Sequence, residues 1–292
     1  MTHTSPTHIR AFARYFQFNN ARTLSTDAPS ELRVLNAGVY QAYIDPTRSY
    51  DNQLLIQAEC SVSQLAAALE LYANGPAPEI SVAPAADSVT LENWMSDNGF
   101  QREFDHQFLQ LRSRDYHSNN YHPVVRVERW TSARADDFLA LLKTSGLRCS
   151  DEIWQTKRHL YCSDAFRCFV AYQGDTPCAW ATTYLDDDVA TLANAFTQEA
   201  ARGNGCQTAL LHARIRDAIE HGATLLLTDV MPESTSARNC LSVGFEPVAT
   251  RQVWCQSQSH GTARAQISQS GDGTHGCFQR AAHTLERLGC HC

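Results

Sequence analysis

The chain has 292 residues, about twice the typical ~150-residue domain, so length alone favours two domains. Hydrophobic residues make up 43% and charged residues 19%, a globular composition rather than a disordered one. Acids outnumber bases by 31 to 24, a net charge of −7. That balance argues against a nucleic-acid binder, which needs a basic stripe to release counterions, and mildly favours neutral or cationic small substrates.

The opening, MTHTSPTHIRAFARYFQ, lacks the apolar core of a secretory signal. No apolar run approaches the ~20 residues that span a bilayer. Eleven cysteines form an odd set without any Cys-x-x-Cys pair, which points to free thiols in a reducing cytoplasm. A membrane or secreted protein is therefore not expected.

Leu65, Leu69 and Tyr72 mark one face of a helix that stops at Asn74-Gly75. A short strand around Ile80-Ser81-Val82 follows. A helix through Trp94 then ends at Gly99-Phe100, before a strand around Phe108 to Leu111. Ser113 to Asn120 is polar and turn-rich, and Pro123 follows it, which makes this the expected domain boundary.

Phe169 to Tyr172 predicts a strand that turns at Gly174-Asp175 into a partner, Cys178 to Tyr184. Asp186-Asp187-Asp188 reads as a solvated turn into a third strand, Val189 to Phe196, so the three form an antiparallel meander. The period then changes from two to 3.6. From Gln207 to Glu220, Leu211, Ile215, Ala218 and Ile219 share one helix face, with Arg214, Arg216, Asp217 and Glu220 on the rest. Gly222 stands where a left-handed cap belongs. Thr224 to Val230 predicts a strand buried on both faces, reached by a right-handed crossover. A helix from Ser234 to Val243 ends at Gly244-Phe245, and Val248 to Trp254 predicts a closing strand.

Helix, strand, helix, Gly-Phe and strand thus occur in both halves, the pattern of an internal duplication. Gln256 to Gly276 holds a single large aliphatic residue, Ile267, and is expected to be a flexible tail. Phe278, Ala281, Ala282, Leu285 and Leu288 would form one short terminal helix. His275, Cys277, His283, Cys290, His291 and Cys292 match no zinc spacing, so no metal is expected. His159, His212 and His221 are expected at the surface.

The chemistry concentrates in Arg202-Gly203-Asn204-Gly205-Cys206-Gln207, between a strand and a helix. Glycines let the backbone fold closely around a ligand, and the first N–H groups of a helix lack internal partners. Together with the helix dipole they suit pyrophosphate oxygens, and Arg202 adds a bidentate cation. The alternative is a tight loop with no ligand. Neither a Walker motif nor a Rossmann fingerprint fits.

Meander, Arg-Gly-x-Gly, helix, buried strand and a helix ending in Gly-Phe together resemble the GNAT superfamily of acyl-CoA N-acyltransferases, over about residues 124–256. The resemblance implies a mixed, mostly antiparallel α/β sheet flanked by helices, with two similar units in tandem. It implies that Arg202, Gly205 and Gln207 hold the coenzyme A pyrophosphate, with Gly203, Asn204, Cys206 and Thr208 lending backbone amides. Gln207 stands where the family usually has Gly or Ala, and its amide is a further candidate phosphate ligand. Ala195, Phe196 and Thr197 would bind the pantetheine arm, and Ser236 and Asn239 complete the cofactor-binding set. The family also implies that the strand before the motif and the buried strand splay apart around the thioester.

Three roles follow for transfer. A backbone N–H near Phe196 would stabilise the oxyanion. The leaving thiolate is usually protonated by a tyrosine, and that position holds Cys240, either an acid or a buried helix residue. Asp229 and Glu199 are the candidate bases, Asp229 being otherwise a helix-cap residue. The first half has Ala58 to Gln64, without glycine, before its helix. A degenerate unit at 1–122, a coenzyme A-binding unit at 123–256 and a tail at 257–292 are therefore expected. The implied activity is transfer of acetyl from acetyl-CoA to an amine of a small molecule or peptide. A catalytically silent acyl-CoA-binding or regulatory protein is the alternative, and an interaction module that lost the ligand is the third.

Overall fold

The computed structural model describes residues 6–48, 51–117 and 125–256. The expected tail, its terminal helix and its His/Cys-rich end lie outside them. In chain order the first half comprises α1 (Pro6–Arg22), β1 (Arg33–Asn36), β2 (Tyr40–Ile44), β3 (Gln53–Ile56), α2 (Val62–Leu69), β4 (Glu79–Val82), α3 (Val89–Asp97) and β5 (Phe100–Arg112). The second half comprises β6 (Arg126–Trp130), α4 (Ala135–Lys143), α5 (Asp151–Lys157), β7 (Phe166–Gln173), β8 (Thr176–Asp186), β9 (Val189–Thr197), α6 (Cys206–Glu220), β10 (Leu225–Val230), α7 (Thr235–Ser242) and β11 (Glu246–Gln256).

Two compact units result, and they interleave along the sequence instead of meeting at residues 122/123. Of the described residues, one contains 31–104 and 251–256; the other contains 6–30 and 105–250. The changes from unit to unit fall between α1 and β1, inside β5 and inside β11. Directly after β5, Ser113–Asp115 form a single helical turn, and most of the strand before it belongs with the second half.

In the smaller unit β1, β2 and β3 form an antiparallel meander, β4 joins parallel to β3, and β11 pairs antiparallel with β4. Leu54, Ile56, Leu65, Ile80, Leu91 and Met95 fill its core at 2% exposure or less. Ser61 starts α2 with a capping box, its side chain accepting from the Gln64 backbone while the Gln64 side chain reaches back.

The larger unit repeats that order. β6, β7, β8 and β9 pair antiparallel in sequence, β10 joins parallel to β9, and β5 pairs antiparallel with β10. Each meander is followed by a helix, a parallel strand, a second helix and Gly-Phe. The strand after each Gly-Phe then closes the sheet of the other unit: β5 pairs with β10, and β11 with β4.

The expected turns have the required backbone. Gly174 and Asp187 adopt φ of 60° and 52° between the meander strands, and Gly222 and Gly244 adopt 89° and 103° after their helices. α6 departs from the expected one-sided helix. Leu211, Ile215 and Ala218 pack with Leu109, Leu192 and Leu226, while Cys206 and Leu210 enter a second cluster with Phe169 and Ala181. Arg214, expected on the polar side, is therefore buried, and Asp217 forms a two-pronged ion pair with buried Arg167, its Oδ1 2.7 Å from Nη2. His212 is also buried, not superficial. Its Nδ1 lies 2.7 Å from the Tyr116 hydroxyl, and burial lowers its pKa, with Arg216 adding repulsion.

α1 has no counterpart among the expected elements. It packs in the larger unit, with Phe18 stacked on Tyr184 at 4.6 Å and the Arg22 guanidinium over Phe166 at 4.5 Å. Its Arg14 reaches Asp186 at 2.7 Å and Asp187 at 2.9 Å, so the acidic turn is salt-bridged rather than merely solvated.

Candidate functional site

The glycine-rich loop joins β9 to α6. Gly203 and Gly205 both adopt left-handed backbone, with φ of 77° and 78°, a region that disfavours residues with a Cβ. A Cβ built on either glycine would meet no atom within 4 Å, so the loop borders open space. Gly205 is the N-cap of α6 and supplies no side-chain hydrogen bond. The helix therefore presents its first N–H groups and the positive end of its dipole at this loop.

The corresponding helix of the smaller unit is built differently. Ser61 and Gln64 close the start of α2 upon itself. Ser234 likewise caps α7 by accepting from the Ala237 N–H. One of the two repeats thus has a helix start without a side-chain cap, and the other has a capped one.

Around the loop, Arg202, Asn204 and Glu199 are exposed, and Thr208 is half-buried. Arg202 Nε donates to the Thr197 carbonyl at 3.4 Å. Cys206 turns its side chain inward, its sulfur 3.7 Å from that of Cys178, while its backbone begins the helix. The Gln207 amide nitrogen donates to Thr197 Oγ1 at 2.7 Å. The side chain expected near phosphate thus binds the end of β9.

β9 and β10 diverge in front of this loop. Among the described residues their parallel register runs from Val189–Leu225 to Thr191–Leu227 and ends there. β9 continues through Ala195, Phe196 and Thr197, held only on its other side by Ala181, Trp180 and Ala179 of β8. At the point of divergence the Thr228 hydroxyl donates to the Leu192 carbonyl at 2.9 Å. A bulge in β9 between Leu192 and Ala195, opposite Thr182, adds local twist. Arg214 secures it from α6, its Nη1 donating to the carbonyls of Thr182 and Ala193 at 3.3 and 3.2 Å. The β9–β10 ladder thus stops at Thr191–Leu227, and β9 beyond it is held by β8 and by a buried arginine.

Of the two readings of Cys240 and of Asp229, the structure favours the buried helix residue for the first and no helix cap for the second. Cys240 is 5% exposed and packs among Leu211, Ile215, Ala237 and Phe245, the position of a core residue. Asp229 caps no helix, since Ser234 performs that role for α7. Its Oδ2 instead lies 2.7 Å from His106 Nε2 on β5. His106 gave no signal in the sequence, where the strand was expected to begin at Phe108. The β5–β10 register, with Phe108 opposite Asp229, brings the two together. Ser236 and Asn239 are half-buried on α7.

Residues 127–245 match the model of the acetyltransferase (GNAT) family. No curated protein matches the sequence. Among solved structures, a GCN5-related N-acetyltransferase from Kribbella flavida superposes with a TM-score of 0.61 at 16% identity, covering 86% of this chain and 96% of that one. A conserved protein from Staphylococcus epidermidis gives 0.59 at 13% identity, covering 79% and 96%. A tandem GNAT protein from the clavulanic acid pathway gives 0.53 at 12% identity, covering 86% and 96%. At these identities the likeness is one of fold: a mixed, mostly antiparallel α/β sheet with two similar units in tandem.

Proposed function

We propose that this chain, a GNAT-family protein in its residues 127–245, is an acyl-CoA-dependent N-acyltransferase that moves acetyl from acetyl-CoA to an amine. The observation that carries the reading is the start of α6: left-handed Gly203 and Gly205, no side-chain cap, and open space where a Cβ would stand. Such a helix start suits pyrophosphate, which supplies the anion that the dipole and the N–H groups lack. The capped start of α2 supports giving this role to the larger unit.

In this reading, Gly203 to Thr208 hold the pyrophosphate through backbone N–H groups, and Arg202 adds a charge-assisted contact. Ala195, Phe196 and Thr197, unpaired with β10, offer backbone groups to the pantetheine arm. Phe196 N–H faces the developing oxyanion, and Ser236 and Asn239 of α7 border the cofactor. The thioester supplies an activated acyl group. The protein positions it, orients the amine and handles the protons. Glu199 is exposed beside the loop, at the edge of this arrangement. Cys240, packed in the core, keeps a structural role. No metal takes part in this reading. The acceptor is a small-molecule or peptide amine, which accords with the acidic net charge of −7, and a cytoplasmic setting accords with the free thiols.

The core position of Cys240 favours one second reading, an acyl-CoA-binding protein without turnover, because the usual proton donor is replaced by a packed thiol. Calorimetric titration of coenzyme A and acetyl-CoA, followed by thiol release in a panel of amines, separates the two. Binding with thiol release supports the enzyme, and binding without it supports the silent protein. Absence of binding at saturating concentration overturns both.

A further inference from the structure

Beyond the family-matched stretch, β5 brings a histidine to the open end of β10. His106 Nε2 is 2.7 Å from Asp229 Oδ2, with side chains 11% and 20% exposed. This is a close, charge-assisted geometry, largely sheltered yet reachable. Alternation along β5 places His106, Phe108 and Gln110 on one face, and Leu109 and Leu111 on the other with Leu211 and Ile215 of α6. On β10, Leu226 and Val230 join that same α6-side cluster, so Asp229 points to the opposite face.

α1 covers the face that carries His106. His8 Nε2 is 2.8 Å from Gln110 Oε1, and Phe12 meets Phe108 with ring centres 6.1 Å apart. On β9, Asn194 Oδ1 accepts from the Tyr15 hydroxyl of α1 at 3.3 Å. The β9–β10 ladder has already ended at Leu227, about 7 Å along the strand from Asp229. One lip of the divergence thus carries Asn194, and the other carries the Asp229–His106 pair. On this face Asp229 of β10 is the ion-pair partner of the ring, and α1 brings a second titratable side chain, His8, onto Gln110.

Resting on the acyltransfer reading, we propose that His106 is the general base of this site and Asp229 its positioning residue. The acceptor arrives as an ammonium and gives one proton to His106 Nδ1. The neutral nitrogen then bonds to the acyl carbon as the carbon–sulfur bond breaks. The second nitrogen proton ends on the thiolate, giving amide and thiol, and His106 releases its proton to water. Asp229 fixes the ring through Nε2–H and stabilises the imidazolium, as a carboxylate partner does for a catalytic histidine. The base therefore comes from a strand of the first half, outside residues 127–245.

Two measurements test this on the full chain. Ring resonances of isotopically labelled histidine are followed with pH and with acetyl-CoA, His159 serving as exposed control. Acetyl-CoA is expected to shift the His106 resonances and leave His159 unmoved, and Asp229→Asn is expected to lower the His106 pKa by removing its anion. With spermidine as acceptor probe, His106→Gln is expected to lower kcat about 10²- to 10⁴-fold, with the KM for acetyl-CoA within about twofold. Under Asp229→Asn the acidic limb of the kcat/KM profile should move down with the histidine pKa. If acetyl-CoA binds by calorimetry yet leaves His106 unmoved, or if His106→Gln retains kcat, the assignment is overturned. Should spermidine not be turned over, the resonance measurement decides alone. If acetyl-CoA does not bind, the acyltransfer reading itself has failed, which is a separate result.

Discussion

Gln207 Nε2 donates to Thr197 Oγ1 across 2.7 Å, tying the second residue of α6 to the last residue of β9. This bond fixes the helix start against the strand that has lost its β10 partner. Gln207→Gly should lower stability by about 1–2 kcal/mol, from one lost hydrogen bond and the entropy of glycine in a helix. Coenzyme A affinity should stay within about tenfold. Thermal unfolding of Gln207→Gly, Thr197→Val and the double variant checks this, and the double should lose less than the two singles added.

Gly205 has φ of 78° with open space beyond it. Aspartate tolerates the left-handed region better than most residues, so Gly205→Asp should shift Tm by only a few degrees. Its carboxylate would oppose phosphate at short range, and affinity for coenzyme A should fall more than about tenfold. Arg202→Ala removes an exposed cation and should weaken binding roughly ten- to hundredfold, at about 1.5–3 kcal/mol, with Tm unchanged without ligand. Calorimetry paired with ligand-free melting checks both. Parental affinity in the two variants would make the loop structural only.

Arg167 is 2% exposed and meets Asp217 of α6 through two hydrogen bonds. Asp217→Ala strands the buried guanidinium and should destabilise by about 3–5 kcal/mol. The paired change Arg167→Met with Asp217→Leu removes both charges and should recover most of that loss. Urea unfolding of the three variants gives the comparison.

Asp45 and Arg48 are both fully buried in the smaller unit. Burial alone would raise the Asp45 pKa, but the Thr47 hydroxyl and N–H, Arg48 and the Glu31 N–H overcome it and hold the group below its ordinary value. A depressed carboxylate stabilises the fold above its unfolded pKa of about 3.9, and that contribution is lost as pH falls through the lower folded value. Unfolding measured from pH 7 to pH 2 should show this decline in the parent. Asp45→Asn should be less stable at pH 7, and its deficit should shrink towards pH 2.

Local rules made much of the fold legible. The two-residue turn at Gly174, the change of period at Gln207 and the glycines at 222 and 244 each place an element boundary by backbone geometry alone. The glycine loop was legible for the same reason, since left-handed residues before a helix leave few sequence choices. Burial on the second side of α6 was not, because Arg214 and Asp217 look like surface residues until the bulge carbonyls and Arg167 are known to face them. His106 was invisible for a related reason. A single histidine in an alternating strand has no local signature, and only the pairing of β5 with β10 gives it Asp229. Extending the alternation of Phe108 and Gln110 back by two residues would have placed it on their face.

The strand exchange also escaped a linear reading. Each Gly-Phe was followed by the expected strand, but nothing near Gly99 or Gly244 says which sheet that strand will complete. That choice depends on pairing energies across the whole chain, which no window of sequence contains.

α1 gives the protein a problem of timing. Arg14 precedes its partner Asp186 by 172 residues. At a synthesis rate of about 5–20 residues per second, the helix waits roughly 10–30 s for that partner to be made. Phe18 emerges early and has no surface to cover until Phe166 and Tyr184 of the meander follow. A nascent chain halted before residue 184 should thus be sticky, because α1 is sheltered only by residues made much later.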